Sequence, residues 1–143
     1  AEILLELGAK HSMVVHGLDG MDEISMSAPT EIYEIRDGKI FFLTLKPESF
    51  GFSYVSHQDI RGGDSKRNNN ILLDLFNGKK GPIRQITCVN AAATLMLAGL
   101  AEDLREGLLL AERTIDSGAA REKFDELVKR SNQGGVNTHV YAR

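Results

Sequence analysis

Residues Thr30 to Leu45 leave the backbone little choice. Ile32, Tyr33 and Ile35 on one arm oppose Ile40, Phe41, Phe42, Leu43 and Leu45 on the other, with Asp37-Gly38 between them. β-Branched and aromatic side chains suit a pleated strand. Asp-Gly suits a type I′ turn, in which both central residues take positive φ. A β-hairpin is therefore predicted, and Pro47 ends its second arm because it has no amide hydrogen for the ladder. Everything else in the chain must be arranged around this antiparallel pair.

Upstream, Ala1 to Leu7 reads as the tail of an amphipathic helix, with Ile3, Leu4 and Leu7 on one face and Gly8 as its stop. Ser12 to His16 reads as a strand. Its run Met13-Val14-Val15 ends at Gly17 and Gly20, which let the chain turn tightly. Downstream the spacing becomes helical. Asn70 to Phe76 aligns Ile71, Leu72, Leu75 and Phe76, with Gly78 as stop signal. Pro82 to Ala98 is small and apolar on most sides, so it is expected to be buried. Asp103 to Ser117 repeats Leu104, Leu108, Ala111 and Ile115. Ala119 to Lys129 is predicted as a last amphipathic helix with Phe124, Leu127 and Val128 inward. The predicted fold is thus α/β: a mixed sheet that includes the hairpin, flanked by helices. Residues 1–130 form the α/β domain and residues 131–143 a flexible tail.

The chain has 143 residues, one domain's worth and enough for a real core. Its 42% hydrophobic and 26% charged content is ordinary for a soluble protein. No apolar run is long enough to span a bilayer and no charged-then-apolar leader opens the sequence. The single cysteine, Cys88, rules out an internal disulfide framework, so a cytoplasmic setting is expected. A net charge of −3 argues against a nucleic-acid binder.

Chemistry concentrates at Asp22-Glu23, just past the first strand, where open α/β sheets place ligands. Two neighbouring carboxylates are hard oxygen donors suited to Mg2+, which completes its shell with water and phosphate oxygens. The plain alternative is a solvated acidic turn. Other groups are assigned structural roles: Cys88 as a packed thiol without a basic neighbour, His16 at a strand end, and Asn90 as a bond from helix to loop. The Lys79-Lys80 pair reads as a solvated turn, and His11, His57 and His139 lack ligand spacing. Arg61-Gly62-Gly63-Asp64-Ser65-Lys66 could be imagined as a phosphate cradle. It lacks P-loop spacing, and a linker capped by Asp64 or Ser65 is the simpler reading.

An ordered set of motifs adds to this. Leu7-Gly8, Val14-Val15-His16-Gly17, Gly20-Met21-Asp22-Glu23-Ile24-Ser25 and Pro29-Thr30 resemble the C-terminal part of the anthranilate phosphoribosyltransferase family. The likeness continues through Leu45-Lys46-Pro47-Glu48-Ser49-Phe50-Gly51, Asn77-Gly78, Val89-Asn90-Ala91-Ala92, Glu106-Gly107 and Ile115-Asp116-Ser117-Gly118-Ala119. It spans nearly the whole chain to about Val128. The resemblance implies transfer of a phosphoribosyl group from phosphoribosyl pyrophosphate to anthranilate, in tryptophan biosynthesis. It also implies Mg2+ held by Asp22 and Glu23 against the pyrophosphate, and a homodimer for the full-length family.

The departures count too. The family's Gly-rich phosphate loop, its Lys-His-Asn phosphate segment and its helical domain have no counterpart here. Lys10-His11-Ser12 is only superficially similar to the second of these and falls in the wrong register. The chain on its own is therefore expected to be inactive, and former domain-contact surface is expected to be exposed. Two other classes stay open: a pyrimidine nucleoside phosphorylase-like enzyme, which needs no Mg2+, and a non-catalytic interaction module of the same fold.

Overall fold

The computed structural model describes residues 1–133. The elements run α1 (Glu2–Glu6), β1 (His11–Gly17), β2 (Thr30–Arg36), β3 (Lys39–Leu45), α2 (Ser65–Phe76), α3 (Pro82–Leu97), α4 (Leu104–Asp116) and α5 (Ala119–Gln133). A 3-10 turn over Pro47–Phe50 follows β3 directly, with Pro47 at its start.

The predicted hairpin is there. β2 and β3 pair Ile32 with Leu43, Tyr33 with Phe42 and Ile35 with Ile40. Asp37 and Gly38 both take positive φ, at 51° and 71°, as a type I′ turn requires. β1 adds antiparallel to the other side of β2, placing Val15 opposite Ile32 and Gly17 opposite Thr30. The strand order is β1-β2-β3. The sheet expected to be mixed is thus antiparallel throughout among the described residues. The two-residue turn forces β3 to run antiparallel to β2. The loop from β1 to β2 doubles back on itself, with the Leu18 amide bonded to the Pro29 carbonyl across its mouth, which brings β2 in antiparallel beside β1.

Residues directly opposite one another share a face. Met13, Val15, Ile32, Leu43 and Leu45 form the inner face. They pack with Met26, Val89, Ala92, Leu108, Ala111 and Ile115 into one core of sheet on helices. Tyr33 and Phe42 occupy the outer face, 40% and 56% exposed, with ring centroids 4.9 Å apart. Val14 lies beside Tyr33 on that face.

α3 and α4 form the helical layer. α4 starts at Asp103, whose carboxylate accepts the Glu106 amide hydrogen at 2.8 Å. Gly107 is what lets the two helices meet: a Cβ there would lie 2.7 Å from the Ala92 carbonyl oxygen and 3.0 Å from its Cα. α2 is capped by Asp64 and starts five residues before the predicted Asn70. The Gly62-Gly63 linker is closed by Asn68, which accepts the Gly63 amide hydrogen at 2.8 Å and donates to the Gly63 carbonyl at 3.0 Å. That is the linker reading, not a phosphate cradle.

α5 departs from expectation. Phe124 does turn inward, onto Phe76 at a centroid distance of 5.3 Å. Leu127 and Val128, expected inside, are 62% and 41% exposed. α5 is the outermost helix and has only one packed side. It also runs to Gln133, past the expected boundary at residue 130, and the rest of the expected tail lies outside the described residues.

Candidate metal centre

The segment between β1 and β2 is a closed loop. The Gly17 amide donates to the Met21 carbonyl at 2.9 Å and the Leu18 amide to the Pro29 carbonyl at 2.9 Å. Inside it, Asp19 works as an anchor. The Ser25 hydroxyl donates to its carboxylate at 2.6 Å, the Ser27 hydroxyl donates to the same oxygen, and the Met21 amide reaches its other oxygen at 3.3 Å. The Thr30 hydroxyl accepts the Ser25 amide hydrogen at 2.9 Å. Burial pushes the Asp19 carboxyl up, but the bonds from Ser25, Ser27 and the Met21 amide outweigh it and hold the group below the usual carboxylate range. His57 stands 3.3 Å from the same carboxylate.

Gly17 makes this anchor possible. A Cβ at Gly17 would come within 2.6 Å of the Asp19 carboxylate and 3.2 Å of the Met21 and Ser25 side chains. The strand must therefore end in a residue with no side chain for the loop to fold back over it.

A second anchor comes from α3. Asn90 accepts the Ile24 amide hydrogen at 2.9 Å and donates to the Ile24 carbonyl at 3.0 Å. The predicted helix-to-loop bond at Asn90 is thus present, and it is double. Ile24 itself is 2% exposed.

Asp22 and Glu23 sit between the two anchors. Asp22 is exposed and Glu23 half-buried. Neither forms an ion pair among the described residues, although their neighbour Asp19 does. Burial, and then the charge of Asp22, raise the Glu23 carboxyl above its ordinary value. A cation placed there would meet two carboxylates that nothing else neutralises. Beside the loop a shallow cleft of about 350 Å3 is lined by Met21, His57, Gln58, Ile60 and Arg61.

The donor set fits a hydrated Mg2+. Two adjacent carboxylates match an ion that takes one or two protein oxygens and fills its shell from water and phosphate. No third His, Cys, Asp or Glu completes an all-protein cage among the described residues.

The acidic pair does follow β1, but the rule for the carboxyl ends of open parallel sheets does not place it, since β1 pairs antiparallel. Hydrogen bonds from Asp19 and Asn90 place it instead. Asp19 was not singled out from the sequence. The signal was available: an Asp followed by Ser25, Ser27 and Thr30 is a set of short polar side chains able to bond loop backbone.

The remaining candidates fall into structural places. His16 is exposed on β1. His11 bonds Glu34 at 2.9 Å. Lys79 and Lys80 pair with Asp74 and Asp116 at 2.8 and 3.4 Å. Cys88 is buried, and burial pushes its thiol up to about 11. It does have a basic neighbour, contrary to expectation: Arg84, one helical turn earlier, pulls the thiol down, but burial wins.

A β-meander backed by two helices, with an acid-bearing loop after its first strand, defines an α/β domain of one known class. The chain belongs to the glycosyl transferase family, a/b domain, whose family model matches residues 1–121. More particularly, it is 43% identical over 129 residues to the anthranilate phosphoribosyltransferase of Thermoanaerobacter sp. (strain X514), a match covering 90% of this chain and 38% of that protein. Among solved structures, it superposes on anthranilate phosphoribosyltransferase from Thermus thermophilus with a TM-score of 0.79 and 30% identity, over 90% of this chain and 37% of that one. It also superposes on a variant of the Saccharomyces cerevisiae enzyme with Mg bound, at TM-score 0.75 and 26% identity, over 85% and 36% of the two chains. The chain thus spans 38% of the length of the curated relative and 36–37% of the two solved chains.

Proposed function

We propose that this chain is the metal-holding part of an anthranilate phosphoribosyltransferase, with Asp22 and Glu23 as the Mg2+ ligands. The observation that supports this best is an acidic pair with no cationic partner among the described residues, on a loop anchored from both sides. The resemblance in sequence and the Mg-bound yeast relative support the same reading.

The residues' own contribution follows from their placement. Asp22 and Glu23 supply two negative charges at an open edge. Glu23, half-buried and beside Asp22, binds protons more readily than a free carboxylate and gains most from a cation. Bound Mg2+ would offset the charge that builds on pyrophosphate as it leaves the ribose carbon. Positioning and charge neutralisation supply the catalysis, and no covalent nucleophile from this chain is required.

The substrates are then phosphoribosyl pyrophosphate and anthranilate, the pathway tryptophan biosynthesis, and the full-length assembly a homodimer in the cytoplasm. Neither nucleic acid nor a membrane is proposed as a partner. Among the described residues no helix is long and apolar enough to cross a membrane. The phosphate-binding segments of the resembled family have no counterpart in this sequence, so the chain alone should show no turnover in a transferase assay.

The test is pyrophosphate binding to this chain followed by amide NMR. Shifts at residues 22–24 should need Mg2+ and vanish in the double variant Asp22→Asn/Glu23→Gln. Shifts that ignore Mg2+, or survive the double substitution, overturn the assignment and favour a phosphorylase-like reading.

A further inference from the structure

We propose that Asn90 is a positioning residue for the metal pair, setting Glu23 through the backbone of Ile24; the inference rests on the reading of Asp22 and Glu23 as ligands. Asn90 stands in the middle of α3, between buried Val89 and Ala92. Asn is a poor choice for a helix interior, where its amide competes with the backbone for hydrogen bonds. Here its amide is fully committed. Nδ2 donates to the Ile86 carbonyl at 3.0 Å and to the Ile24 carbonyl at 3.0 Å, while Oδ1 accepts the Ile24 amide hydrogen at 2.9 Å. The bond to Ile86 fixes the sense of the amide, since the flipped form would set its oxygen against two carbonyls.

The consequence for Glu23 is geometric. The Ile24 N–H belongs to the same planar peptide unit as the Glu23 carbonyl. Holding that N–H therefore fixes the plane on which Glu23 is hung. The Ile24 side chain is anchored separately in the core at 2% exposure. One residue is thus gripped by side chain and by both main-chain groups, directly beside a proposed ligand. No other residue type repeats the grip: Asp lacks the donor, Leu has the shape but neither polar atom, and Gln is one methylene too long.

Mn2+ binding to the 143-residue chain tests this, read as selective paramagnetic broadening of amide NMR signals. In the wild-type chain, broadening should centre on residues 22–24. Substitution of groups that orient metal ligands typically weakens metal binding by about 10–100-fold, and for Asn90→Leu and Asn90→Ala we expect roughly tenfold. Signals elsewhere in α3 should be retained. Thr87→Ala, on the same helix with its side chain exposed and its hydroxyl bonded to the Ile83 carbonyl rather than to Asn90, should bind Mn2+ as the wild type does. Wild-type affinity in both Asn90 variants overturns the inference while leaving the ligand assignment intact. Broadening in the wild type that survives Asp22→Asn/Glu23→Gln, or is absent from residues 22–24, overturns the ligand assignment and this inference with it. Loss of the dispersed spectrum in both Asn90 variants would show that Asn90 holds the fold rather than the pair, and overturns it too.

Discussion

Two carboxylates on one loop are pushed in opposite directions. Glu23 is raised by burial and then by Asp22. In Asp22→Asn its titration midpoint should move down but stay above that of a free carboxylate, because burial remains; carboxyl-carbon NMR across the acid range checks this. An acid raised in the fold costs stability once ionised, so protonation of Glu23, or a bound cation, should stabilise the chain. Asp19 behaves the other way. Its carboxyl is held low, so its stabilising contribution is present above the unfolded value near 3.8 and is lost as pH falls through the folded one. Asp19→Asn should flatten the loss of stability below about pH 4, measured by urea unfolding at several pH values. The sequence pointed to the raised acid through its acidic neighbour. It did not point to Asp19, because a lone Asp in a glycine turn looks solvated until Ser25 and Ser27 are seen to fold back onto it.

Among the elements, the strands and helices were legible because each carries its own punctuation. Asp37-Gly38 fixed the hairpin, Asp103 the start of α4 and Gly78 the end of α2. The start of α2 was read late, at Asn70, because the polar first turn Ser65 to Asn69 shows no apolar spacing although Asp64 caps it. Pairing direction was not legible. Val14 and Val15 suit a strand of either sense, and what decides between them is the closure of the loop from β1 to β2, where Leu18 bonds Pro29. The inward face of α5 was misread for a related reason: periodicity shows that Phe124, Leu127 and Val128 share a stripe, not that anything lies opposite all of it. Closeness between helices was equally invisible. Gly107 read as one letter of a family motif, yet it is where α4 touches the Ala92 backbone. Because the contact is with main chain, which cannot rotate away, Gly107→Ala should force α3 and α4 apart and cost about 1–3 kcal/mol. A drop in urea midpoint with unchanged slope would show it.

For the molecule as a whole, former domain-contact surface was expected to be exposed, without a place being given for it. On the outer face of the sheet Tyr33 and Phe42 are exposed, although Ile35 on the same face is buried. Ile3, Leu7 and Leu109 add further exposed apolar area, at 72%, 79% and 55%. Surface of this kind drives association. The chain should therefore self-associate in the tens-to-hundreds of micromolar range typical of weak small interfaces, roughly 5–6 kcal/mol. Tyr33→Ser/Phe42→Ser should raise that concentration in sedimentation runs. The grip of Asn90 on Ile24 has its own consequence at this scale, since it joins residues 66 positions apart. Closing so long a loop comes late in folding, after the meander and the helical pair have formed from nearer contacts. In refolding from urea, helical circular dichroism should return first and Mn2+ capture afterwards. The newly made chain would then stay blind to metal until its last large loop has shut.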